Sequence, residues 1–167
     1  KLIVVVDPYV EELARGIPFI DEVIIWAGDK HPLLTKLRLI RLLKRKHIDI
    51  AVMLNPSKEF NIITRLSGIP VRVGYDRKWG FLLTHKIKDL KYLGNKHEIE
   101  YNLELVSLIG AKTQDKSLTL TVDDNLIRGF NINIEENSTL VAVHPWTSDP
   151  IKQWPRESFR RLTEKLS

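Results

Sequence analysis

The chain has 167 residues, 43% of them hydrophobic and 28% charged, with 26 Lys plus Arg against 21 Asp plus Glu and a formal charge of +5. A chain of this length buries roughly 68–70% of the surface its unfolded form exposes, so a real core forms and an intrinsically disordered protein is excluded. The absence of Cys excludes a disulfide scaffold, a thiolate zinc site, an iron–sulfur cluster and a cysteine nucleophile, and it fits a cytoplasmic protein. Short β-branched runs then alternate with amphipathic segments, the pattern of βαβ units. Leu2 to Val6 predicts a first strand, and Tyr9 to Ala14 a short helix with Pro8 near its first turn and Gly16 closing it. Val23 to Trp26 predicts a second strand. Leu33 to His47 predicts a long helix with Leu33, Leu34, Leu37, Ile40 and Leu43 as its apolar face.

A third strand is expected over Ile48 to Leu54, followed by the turn Asn55-Pro56-Ser57 and a helix ending near Ser67-Gly68. Val71 to Tyr75 reads as a fourth strand, Phe81 to Ile87 as a short extended piece, and Lys96 to Ile109 as a helix stopped by Gly110. The fold class is therefore α/β, Rossmann-like. From Ala111 the character changes to polar stretches around one alternating run, Leu118 to Val122. The expected organisation is a first domain over 1–122, a connection over 123–138 and the opening of a second α/β domain over 139–167. That opening consists of a strand from Thr139 to Pro145, a loop, and a helix after Pro155 with Phe159, Leu162 and Leu166 on one face. One strand and one helix do not make a core, so the sequence reads as part of a longer protein.

No run approaches the ~20 apolar residues of a membrane span, and Asp7 comes too early for a signal-peptide core. The five His show no metal-ligand spacing, and no G-x-G-x-x-G follows any strand, which argues against a dinucleotide-dependent oxidoreductase. Two regions are strongly basic. The helix 33–47 carries Lys36, Arg38, Arg41, Lys44, Arg45 and Lys46 with no acid, and suits either a solvated face or contact with an anionic membrane leaflet. The stretch 72–96 carries Arg72, Arg77, Lys78, Lys86, Lys88, Lys91 and Lys96 with only Asp76 and Asp89 as acids. Arg72, Arg77 and Lys78 suit phosphate or carboxylate groups, Tyr75 and Trp79 suit stacking on a sugar, and His97 opens the helix that follows. A basic Rossmann-like binding module that contacts nucleic acid through these two regions, or an anionic membrane, without catalysis is the alternative reading, although no recognition motif for nucleic acid is present.

The segment His144-Pro145-Trp146-Thr147-Ser148-Asp149-Pro150-Ile151-Lys152-Gln153-Trp154-Pro155 leads from a strand to a helix N-terminus through two hydroxyls and a Lys. Such a loop suits either a diphosphate or an ordinary solvated turn. His144-Pro145, Thr147-Ser148, Lys152 and Trp154-Pro155 before Glu157-Ser158-Phe159 resemble the opening of the C-terminal domain of the heptosyltransferases of glycosyltransferase family 9. Upstream, Pro18 to Ile24, Val71 to Tyr75, Leu82 to His85 and the helix from His97-Glu98 to Gly110 resemble the same family in the same order. Trp146 and Thr147 stand where the family usually has small residues.

The resemblance implies a GT-B enzyme of two Rossmann-like domains. Such an enzyme transfers a sugar, by family default heptose from ADP-heptose, to the anionic core of lipopolysaccharide with inversion. It implies no cofactor beyond that nucleotide-sugar co-substrate, no nucleic-acid partner, no metal, and a cytoplasmic monomer peripheral to the inner membrane. Carried onto these residues, Thr147, Ser148 and Lys152 take the donor, with Lys152 stabilising the departing diphosphate, and Arg72, Arg77, Lys78 and His97 take the acceptor. The family's first strand and its base-bearing Gly-Asp loop fall ahead of Lys1. Asp7 belongs to the second strand of that fold and is not the base, and the 167 residues alone are expected to be inactive.

Overall fold

The computed structural model describes residues 1–27, 32–119 and 139–166. The chain divides into two compact units, Lys1–Val122 and Asp123–Ser167. In the first unit β1 (Ile3–Val6) is followed by a 3₁₀ turn, Pro8–Val10, and the short α1 (Glu11–Arg15). Asp7 initiates that turn, its carboxylate accepting the Tyr9 N–H at 3.0 Å, and Pro8 occupies the position where no N–H is needed. β2 (Glu22–Ile25) pairs with β1 in parallel, Val4 opposite Val23 and Val6 opposite Ile25.

The helix α2 (Pro32–Arg45) leads to β3 (Ile50–Val52) and then to α3 (Lys58–Leu66), whose first turn is capped by the Ser57 hydroxyl at 3.2 Å from the Phe60 N–H. β4 (Val71–Tyr75) and β5 (His85–Ile87) complete a second parallel sheet in the order β3-β4-β5. α4 (Glu98–Ser107) follows. Its last turn runs on from Ser107 to Gly110, whose φ of +85° is a left-handed conformation that other residues adopt only at a cost.

Two cores result. Ile24, Leu39, Leu43 and Ile63, with Ile3, Val5, Trp26, Ile40 and Phe60 around them, clamp α2 and α3 onto the β1–β2 pair. Val73, Tyr75 and Leu105, with Val52, Val71 and Ile87, hold α4 against β3-β4-β5. Val71, Val73 and Tyr75 alternate along β4 and so share one face, as the two-residue strand period requires.

Among the described residues the two sheets are not joined. Among the described residues β1 and β3 each keep one unpaired edge, and a cavity of about 330 Å³ lined by Lys1, Ile3, His47, Asp49 and Ile50 lies between their starts. Both strands read as near-continuous apolar runs, the signature of strands buried on both faces. Yet no residue of β1 is fully buried, and Ile50 of β3 is exposed.

Four expectations need correction. The apolar face of α2 is not Leu33, Leu34 and Leu37, which are 69%, 54% and 39% exposed. Leu39 and Leu43, one turn apart, face the sheet instead, with Ile40 packed beside them. Phe81 to Ile87 is not one extended piece but a 3₁₀ turn, Gly80–Leu82, followed by β5.

Thr139 to Pro145 forms no strand, because no described segment offers it a ladder of N–H and C=O partners, and Leu140 and Val141 are exposed. The helix after Pro155, α5 (Arg156–Leu166), forms as expected, but Leu162 and Leu166 remain exposed and only Phe159 finds a partner, the Trp154 ring at 5.1 Å. The connection 123–138 and most of the run Leu118 to Val122 lie outside the described residues.

Candidate functional site

In open parallel sheets the loops after the carboxyl ends of the strands form the ligand crevice. At this end of the β3-β4-β5 sheet the chain leaves β4 through Asp76, Arg77, Lys78 and Trp79, and leaves β5 through Lys88, Asp89, Leu90 and Lys91. Asp76 donates its N–H to Ile87 O at 2.7 Å and Arg77 to Tyr75 O at 2.7 Å, so the loop turns sharply off the strand.

Lys78 and Trp79 then take φ values of +46° and +69°. A left-handed conformation costs a non-glycine residue about 1–2 kcal/mol, and two in succession persist only where the surroundings over-determine them. Two features supply that determination. Asn61, buried on α3, donates from Nδ2 to Lys78 O at 3.0 Å. Gly80 lets the backbone close up, since a Cβ there would stand 2.9 Å from Asp76 Oδ1 and 3.1 Å from Tyr75 O. The loop thereby holds Arg77 and Lys78 exposed, with Trp79 beside Phe81 at a ring separation of 5.8 Å and the Lys58 ammonium 4.2 Å above the Trp79 ring.

Arg77 is not a free cation. Its Nη1 bonds Asp89 Oδ2 at 2.8 Å, and the side chain of Asp89 is only 5% exposed while that of Arg77 is 60% exposed. Burial pushes the Asp89 carboxyl up, but the Arg77 hydrogen bond and the Lys91 N–H at 3.2 Å overcome it and hold the group below the usual carboxylate range. The result is a guanidinium pinned from behind, with the rest of its donor fork facing solvent.

Lys91, half-buried, donates from Nζ to Leu54 O at 3.0 Å, pairs with Glu98 and lies 4.8 Å over the Tyr75 ring. Burial disfavours its charge, yet Glu98 and Tyr75 leave its pKa raised. It ties the ends of β3 and β4 to the start of α4. There His97 caps the helix, with Nδ1 accepting from the Ile99 N–H at 3.3 Å while Glu100 accepts from the His97 N–H at 2.9 Å.

Two of the residues expected here are placed differently. Arg72 lies at the other end of β4, opposite Ala51, and its guanidinium donates to the backbone carbonyls of Leu82 (2.9 Å), Pro70 (3.3 Å) and Ile69. It staples the strand to the turn after it and does not join Arg77 and Lys78. Tyr75 is buried, with its hydroxyl donating to Tyr101 O at 3.3 Å, so it offers no ring to a sugar. Lys58 and Asn61 carry no signal in the sequence, and Asp89 and Lys91 stand there only as members of the basic stretch 72–96, with no role of their own. For Asp89 a signal existed, since an acid standing almost alone in a basic stretch is a candidate counter-ion.

In the second unit Thr147 Oγ1 accepts from the Asp149 N–H at 3.3 Å and Asp149 Oδ1 from the Ile151 N–H at 3.1 Å, which winds Pro150–Lys152 into a 3₁₀ turn. Lys152 is exposed on this turn and Ser148 is exposed just before it. Lys152 therefore sits ahead of α5, not on its first turn.

Against known protein families, residues 36–167 match glycosyltransferase family 9 (heptosyltransferase). The chain belongs to glycosyltransferase family 9. Among solved structures, the family 9 glycosyl transferase from Veillonella parvula DSM 2008 superposes with a TM-score of 0.75 at 17% sequence identity. That match covers 98% of this chain and 49% of the Veillonella chain, so the present chain spans about half of that protein's length. The likeness shows an α/β fold with parallel sheets shared with about half of a family 9 structure. A search of curated proteins found no match. Among the described residues of this family 9 chain, no helix is long and apolar enough to cross a membrane.

Proposed function

We propose that this family 9 chain forms the acceptor-side domain, and the beginning of the donor-side domain, of an inverting glycosyltransferase. Its donor is a nucleotide-diphosphate sugar, ADP-heptose in the default of the family, and its acceptor the anionic core of lipopolysaccharide at the cytoplasmic face of the inner membrane. The observation that carries this reading is the strained loop at the carboxyl end of β4. It holds Arg77 against a buried carboxylate with Lys78 alongside, and it presents Trp79 and Phe81 beside them. An anionic sugar is recognised by this combination, cationic forks for its phosphate or carboxylate groups and aromatic edges for its ring. His97 flanks the same edge, and Arg72 has no part in it.

In the reaction a base removes the proton of the acceptor hydroxyl, whose oxygen bonds the anomeric carbon as the bond to the diphosphate breaks. Negative charge then builds on the leaving diphosphate, where positive charge and N–H donors stabilise it. Lys152 takes this role, with Thr147 and Ser148 binding the donor. The open edges of β1 and β3 support a companion proposal, that the strand which the family fold places ahead of Lys1 lies between them and carries the base at its carboxyl end.

The test is Lys152→Ala in the intact enzyme. Loss of one such electrostatic group lowers kcat by about 10²–10³-fold while KM for the acceptor changes little. An unchanged kcat with ordinary donor affinity overturns the assignment.

A further inference from the structure

Helix α2 divides its surface three ways. Leu39 and Leu43 are buried in the core. The cations flanking them are neutralised, Lys36 by Glu59 on α3 at 2.8 Å and Lys46, just past the end of the helix, by Glu22 on β2 at 2.5 Å. The outward side of the helix exposes Leu33, Leu34, Leu37, Arg38, Arg41, Lys44 and Arg45.

At 3.6 residues per turn these seven lie within an arc of about 140°, centred opposite Leu39 and Leu43. None of the four cations makes an ion pair among the described residues, and the helix holds no acid. Scattered exposed leucines are ordinary; three within five residues, in the first turns of a helix whose later turns are cationic on the same face, are not.

We propose that this outward face of α2 docks the protein on an anionic lipid bilayer. Leu33, Leu34 and Leu37 enter the interfacial region, and Arg38, Arg41, Lys44 and Arg45 lie among the headgroup phosphates, their long stems covering apolar surface while the charges stay solvated. The leucines decide between partners. A nucleic acid would engage the four cations and leave three exposed leucines without use, whereas an anionic membrane uses both. Among the described residues nothing packs on this face, because α2 is held by the opposite side of the helix. This inference rests on α2 alone and not on the sugar-transfer reading, so vesicles without any glycolipid are the probe and the two fail separately.

The experiment is co-sedimentation of the protein with vesicles of phosphatidylcholine containing 30 mol% phosphatidylglycerol, at about 0.1 M salt, against vesicles of phosphatidylcholine alone. Binding is expected to the anionic vesicles only and to fall steeply at higher salt. Each cation near the surface strengthens partitioning about five-fold, so Arg38→Gln/Arg41→Gln/Lys44→Gln/Arg45→Gln weakens it at least a hundred-fold. Leu33→Ser/Leu34→Ser/Leu37→Ser weakens binding while leaving its salt dependence in place. All seven side chains are exposed, and both variants should melt as the parent does. Equal binding to neutral vesicles, no binding to anionic ones, or either variant binding as the parent overturns the proposal, as does salt-sensitive capture of single-stranded RNA by a protein that ignores the vesicles.

Discussion

Replacing Asp89 by Asn removes one charge from the back of the β4–β5 loops while keeping the shape of the side chain. In the parent, the buried carboxylate accepts one hydrogen bond from the Arg77 guanidinium at 2.8 Å and one from the Lys91 N–H at 3.2 Å. A hydrogen bond to a charged group contributes about 1.5–3 kcal/mol. The exposed side of the pair, Arg77, is screened by solvent, which discounts its share. The two donors bond different oxygens of the carboxylate, so the Asn amide keeps an acceptor for only one of them and turns an NH2 toward the other; with the exposed Arg77 able to turn to water instead, the net loss expected is about 1.5 kcal/mol. For a chain of this size that corresponds to a Tm lower by about 3–6 °C.

The pH dependence follows from the same contacts. The folded-state pKa of Asp89 is depressed, so its contribution is fully present above the unfolded carboxylate value, about 3.9. The contribution is lost as the pH falls through the lower folded value. Urea unfolding followed by Trp fluorescence should therefore separate parent and Asp89→Asn at pH 7. The separation should shrink once the pH drops below about 4 and close at still lower pH. Equal midpoints at pH 7, or a gap that stays constant into strong acid, would refute the argument that an ionised Asp89 anchors Arg77.

Two further substitutions probe the framework of the site. Gly80→Ala forces a Cβ to 2.9 Å from Asp76 Oδ1 and 3.1 Å from Tyr75 O. It is expected to cost about 1–3 kcal/mol and to release the Lys58 contact with Trp79, which a change in Trp emission at pH 7 would register; a variant with parental stability and emission speaks against the strained loop. Leu105→Ala empties a fully buried position between α4 and β4 and should cost about 2–5 kcal/mol in urea unfolding. A loss under about 1 kcal/mol would mean that α4 is not clamped on the sheet as described.

Much of the fold was legible because it is set by local chemistry. Val71 to Tyr75 is observed as read, since Val71, Val73 and Tyr75 alternate at the two-residue strand period between Pro70 and the polar Asp76. Ser57 and Gly110 mark helix ends through capping and a left-handed stop, both local effects. What failed was long-range. The leucines of α2 fit more than one apolar stripe, and only contact with Ile24 and Ile63 decides that Leu39 and Leu43 are the buried pair. Likewise Arg72 and Arg77 are five residues apart and look equivalent in the sequence. The strand between them sends one to backbone carbonyls at its start and the other to a buried carboxylate beyond its end.

The sequence by itself determined the α/β alternation, the family and the concentration of positive charge in α2 and in 72–96, because composition, periodicity and collinear motifs are properties of the chain alone. Tertiary structure alone decided which cations are neutralised and which are presented. It also decided that Tyr75 is core while Trp79 is surface, and that, among the described residues, the parallel strands stand as a pair and a trio with β1 and β3 each open on one edge. The physical reason is that burial, ion pairing and strand pairing each require two segments distant in sequence to meet, and their energies depend on geometry that no single stretch of residues carries.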